Sequence, residues 1–61
     1  MTAGEIMRLA KKNGCEFVRH GANHDIWKNP KTGRETQIPR HQSKELRTGT
    51  ENQIKKELGL K

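Results

Sequence analysis

The chain has 61 residues, of which 28% are hydrophobic and 33% charged, with a formal net charge of +6 at pH 7. So short a chain makes one domain that hides only roughly 60% of its unfolded surface, which leaves a thin core. No apolar run is long enough to span a bilayer, no secretory signal is visible, and the single Cys15 excludes a disulfide framework and a cysteine-based zinc site. The positive balance suits a polyanion: nucleic acid, an anionic membrane or an acidic protein. A reducing cytoplasm is the simplest compartment.

The first segment, "TAGEIMRLAKKNG", reads as a helix. Thr2 and Glu5 have the capping-box spacing, in which each side chain takes up the other's backbone N–H. Ala3, Ile6, Met7 and Ala10 recur at i, i+3, i+4 and i+7 and predict one buried face, with Leu9 beside it. Lys11 and Lys12 suit the negative end of the helix dipole, and Gly14 can take the left-handed position that ends it. "CEFVRH" is then extended, since Phe17 and Val18 are good strand formers. Gly21, Ala22 and Asn23 turn the chain into a second strand, "HDIWK". Asn29-Pro30-Lys31-Thr32-Gly33 is a strong turn, and "RETQIP" is a third strand closed by Pro39. "HQSKELRTG" is a loop with one helical turn expected at Ser43 to Leu46. The last stretch, "TENQIKKELGL", is a second helix: Thr50 and Gln53 have capping-box spacing, and Ile54 and Leu58 share a face. In it Glu51 and Lys55 can pair, Gly59 ends the helix, and Leu60 can fold back onto it. The predicted class is α+β in the order α-β-β-β-α. Short connections favour an antiparallel meander with both helices on one side and the other side open.

Neighbouring strand residues point to opposite faces, so His24 and Ile26 share one face of the second strand while Asp25 and Trp27 share the other. Because Ile26 and Trp27 are both apolar, periodicity leaves open which pair faces the core. A distortion of so short a strand can also bury both.

Three histidines, His20, His24 and His41, stand among 13 Lys and Arg residues. An imidazole gives or takes a proton near neutral pH. RNA carries its own nucleophile, the 2′-hydroxyl. Cleaving it through that group takes a base, an acid for the leaving 5′-oxygen, and cations for the phosphate. One histidine with Lys and Arg neighbours is a minimal set. His20 and His24 are four apart, a metal-ligand spacing on a helix. Gly21 and Asn23 argue against a helix there and no acidic cluster completes a shell, so neither a metal nor another cofactor is expected. Lys28, Lys31, Arg34 and Arg40 crowd the strand turns, either as a solvated face or as a phosphate-contacting surface. Trp27 and Cys15 read as core residues.

The order of these pieces resembles the HicA-type mRNA interferase toxins of prokaryotic toxin–antitoxin pairs. The likeness covers nearly the whole chain. It rests on a helix ending "KNG", on "G-x-x-H-x-I-W" from Gly21 to Trp27, on a Pro-Lys-Thr-Gly turn, on "IPRH", and on "KELRTGT" followed by Ile54 and Gly59. The resemblance implies a double-stranded-RNA-binding-like fold. It also implies a metal-independent endoribonuclease that cleaves mRNA and is neutralised by a HicB-type antitoxin. The family's catalytic histidine maps onto His24 and its motif glycine onto Gly21. Ala22 and Asn23 stand where the family usually has a serine before the histidine, and Glu51 where it usually has a leucine. His24 is thus the expected acid–base residue, Gly21 lets the turn present it, and Lys28, Arg34 and Arg40 are candidate phosphate contacts. Two other readings fit the same charge and size: a non-catalytic RNA-binding module, and a basic domain that docks an acidic protein.

Overall fold

The computed structural model describes residues 1–60. Five elements follow in the order helix α1 (Ala3–Lys12), strands β1 (Glu16–His20), β2 (His24–Asn29) and β3 (Arg34–Pro39), and helix α2 (Thr48–Leu58). The strands form one antiparallel sheet in the order β1-β2-β3.

The start of α1 is fixed locally. The Glu5 N–H donates to Thr2 Oγ1 at 3.2 Å and the Thr2 N–H donates to Glu5 Oε1 at 2.8 Å, which closes the predicted capping box. The hydrogen bonds from Thr2 hold the Glu5 carboxyl below the usual carboxylate range. Ala3, Gly4, Ile6, Met7 and Ala10 form the buried face. Both helices end as their sequences predict, on glycines with positive φ, Gly14 at 82° and Gly59 at 64°. In each case the next residue donates back across the last turn, Cys15 to the Ala10 carbonyl and Leu60 to the Lys55 carbonyl, both at 2.9 Å.

Trp27 settles the orientation of the sheet. It is 4% exposed and packs in one cluster with Ile6, Ile38, Ile54 and Leu58. Asp25, Trp27 and Asn29 therefore face the helices, and His24, Ile26 and Lys28 face away from them. Ile26 is buried as well, on the opposite face, beside Arg19 and Gln37. The pair Asp25 and Trp27 therefore faces the core and His24 is presented outward, while both apolar residues are still covered. Asn29 joins the sheet to α2: its Nδ2 donates to the Leu58 carbonyl at 2.7 Å, and its Oδ1 accepts from the Lys31 N–H at 2.9 Å. Cys15 lies buried beside the same carbonyl, and burial pushes its thiol up, which fits a packing role.

Two expectations fail between the sheet and α2. The segment Ser43 to Leu46 makes no helical turn. The chain turns at Gln42 and Ser43, and Glu45 then forms an antiparallel bridge with Thr2. The cause is non-local: the Ala3 N–H donates to the Lys44 carbonyl at 2.8 Å and the Leu46 N–H to the Met1 carbonyl at 3.0 Å, so the segment is drawn out along the N-terminus. The Thr50–Gln53 capping box is also absent. With Leu46 buried, the chain enters α2 early, at Thr48, with Arg47 as its N-cap and no side-chain cap. Gln53 donates to Glu57 Oε1 at 3.1 Å instead, while the Glu51–Lys55 pair forms at 3.1 Å as expected.

Candidate active site

His24 opens β2 on the face away from the helices and is half-buried. The β2–β3 register sets it opposite Pro39. The next two residues along the chain, Arg40 and His41, are therefore delivered beside the imidazole. The turn after them returns Lys44, whose N–H donates to the His41 carbonyl at 3.0 Å. The result is an open pocket of about 280 Å³ lined by Asn23, His24, Pro39, Arg40, His41 and Lys44.

The turn that presents His24 is tight. The Gly21 N–H donates to the His24 carbonyl at 2.6 Å, and a Cβ at Gly21 would stand 3.0 Å from that same oxygen. What favours glycine here is the close backbone contact and not its φ, which is not positive. The Arg40 guanidinium donates to the Gly21 carbonyl on the outside of the turn, and its Nε lies 3.4 Å from Asp25 Oδ1. The same carboxylate oxygen lies 2.7 Å from His20 Nδ1. Asp25, 8% exposed, is thus a buried carboxylate shared between a guanidinium and an imidazole.

Of the residues singled out in the sequence, His24, Gly21 and Arg40 come together. Lys28 shares the face of His24 but lies four residues further on, roughly 13 Å along the strand. Arg34 is at the far end of β3, opposite Asn29. Neither lines the His24 pocket. Three contributors were not assigned from the sequence: His41, Lys44 and Asp25. The "PRH" run was the available signal for His41, because strand pairing brings the residues after Pro39 back to His24. Asp25 and Arg40 are 15 positions apart, and no local pattern links them.

Two imidazoles, a guanidinium and an ammonium thus line one small open pocket, which sets side chains able to move a proton beside positive charge. Among the described residues, no three His, Cys, Asp or Glu side chains cluster to hold a metal ion, and no helix is long and apolar enough to cross a membrane.

No curated protein and no solved structure matches the chain. The family model described as the HicA toxin of bacterial toxin–antitoxin systems matches residues 3–60, across both helices and the whole sheet. With the α-β-β-β-α order and the Gly21–His24 turn in place, the chain belongs to the HicA family of toxins.

Proposed function

We propose that the chain is a metal-independent endoribonuclease that cleaves mRNA, with His24 as an acid–base residue. The observation that carries this reading is the strand register that sets His24 against the Arg40–His41 pair. The 2′-hydroxyl attacks the adjacent phosphorus, one imidazole takes its proton, and the 5′-oxygen leaves with a proton from an acid on the other side. His41 is the second imidazole within the same pocket. Lys44, and Arg40 from its place beside Gly21, steady the charge of the phosphorane. Lys28 lies along the face of His24 and suits a more distant phosphate, whereas Arg34, paired with Asn29, is on the other face and off that line. Cleavage is expected to persist in excess EDTA and to leave 2′,3′-cyclic or 3′-phosphate ends. Products with a 3′-hydroxyl and loss of activity in EDTA mark metal-activated water instead, and would refute the mechanism. A chain that retards RNA without shortening it is a binding module.

The same reading assigns the toxin a HicB-type antitoxin as its cognate partner. An acidic partner that covers the His24 pocket blocks RNA directly and gains electrostatic steering from the net charge of +6. Hydrogen exchange with and without the antitoxin is expected to show new protection from Asn23 to Lys28. Protection confined to α1 and α2 rules out direct occlusion.

A further inference from the structure

Both helices lie over β2 and β3, and β1 is left exposed along its whole length. A groove of about 410 Å³ runs between α1 and β1 on the helical side of the sheet, separate from the His24 pocket. Its floor is apolar: Met7, the edge of Trp27, and Phe17. Phe17 is 45% exposed, although it pairs with Trp27 across the strands and meets that ring edge-on at a centroid distance of 6.1 Å. The imidazole of His20 packs beside Phe17, with ring centroids 4.9 Å apart. Asp25 fixes that imidazole through Nδ1, which leaves Nε2 for a ligand. Arg8 and Lys11, one helical turn apart, stand on the α1 rim, and neither forms an ion pair among the described residues.

We infer that this groove is a nucleotide subsite for single-stranded RNA, in which a base stacks on Phe17 beside His20 and the adjoining phosphates lie against Arg8 and Lys11. The inference rests on the ribonuclease reading and extends it to where the substrate strand runs. Exposed aromatic faces interleaved with cations are what an unpaired strand binds without sequence preference. A β-strand from a protein partner is a poorer occupant. β1 carries a bulge between Phe17 and Arg19, and such a break twists an edge and interrupts the ladder a partner strand would extend. A chain of contacts links the groove to the His24 pocket on the other face. His20 pairs with Asp25, and Asp25 with the Arg40 that lines that pocket, so a strand crossing the Gly21–His24 turn passes from one to the other.

The test uses the full chain carrying His24→Ala, so that RNA is held rather than cut, and a fluorescent single-stranded RNA oligonucleotide as probe. Adding Phe17→Leu keeps an apolar side chain over Trp27 but removes the ring. It is expected to weaken binding by at least about fivefold, the low end for stacking one base. Adding Arg8→Gln with Lys11→Gln is expected to reduce the slope of log K against log salt by about 1.4, or about 0.7 for each phosphate contact on a single strand. Lys56→Gln in α2 serves as the charge control. Unchanged affinity in the Phe17 variant overturns the subsite. So does a slope change per charge no larger than that of the Lys56 control, and so does a chain that binds no RNA. Groove variants that keep RNA affinity but lose the antitoxin mark a protein-docking surface and overturn it as well. Failure of the ribonuclease reading is seen separately, as RNA left uncut by the unsubstituted chain, because affinity in the groove is read without reference to cutting.

Discussion

His24→Ala is expected to abolish RNA cleavage and growth inhibition while leaving the fold intact. General acid–base catalysis by one positioned side chain contributes typically about 10²- to 10⁴-fold, so the loss should fall in that range or exceed it. The fold should survive because the imidazole lies on the face away from the helices, half-exposed and outside the core cluster. The turn around it is closed by backbone: the hydrogen bond from the Gly21 N–H to the His24 carbonyl does not depend on the side chain. Circular dichroism establishes that the variant is folded, and a cleavage assay on the same preparation reads the chemistry. A folded variant that still cuts RNA at the wild-type rate shifts the role to His41, which lines the same pocket, or to His20, which does not.

Trp27→Ala is expected to unfold the chain. Truncating a buried large aromatic costs about 3–5 kcal/mol. At roughly 0.05–0.15 kcal/mol per residue, a domain of this length has only about 3–9 kcal/mol in all. Trp27→Phe should be far milder. The indole Nε1 is buried without a hydrogen-bond partner among the described residues, so phenylalanine gives up ring volume but no hydrogen bond and removes an unsatisfied donor. Thermal melts by circular dichroism on both variants check the pair. An alanine variant that melts like the wild type would contradict Trp27 as the centre of the core.

The two helices were legible because their determinants are local. The Thr2–Glu5 box, the Ala3-Ile6-Met7-Ala10 face and the terminal glycines each lie within one or two turns, and each formed as read. The sheet was legible in its strands and order but not in its facing, because Ile26 and Trp27 offer periodicity no contrast. Only the helices packed on one side distinguish them. The segment from His41 to Arg47 was legible as a loop, but the helical turn expected in it at Ser43 to Leu46 failed because its partners lie at the other end of the chain. Glu45 is extended because Thr2 is there to meet it, and Thr50 is no cap because Leu46 is already buried and the helix begins at Thr48. The candidate site divides in the same way. His24 and Gly21 belong to one contiguous stretch, whereas His41, Lys44 and the Asp25–Arg40 contact depend on strand register.

The bridge between Thr2 and Glu45 also bears on the order in which the pocket around His24 is assembled. Contacts between distant positions form after local ones, because the intervening chain must lose its freedom before they are rewarded. A nascent chain can close the β2–β3 hairpin and display His24 early. The opposite wall of the pocket, His41 and Lys44, lies in the segment that the N-terminus must wait to clasp, and α2 comes after it. Until that segment is made and clasped, the pocket around His24 lacks one of its walls.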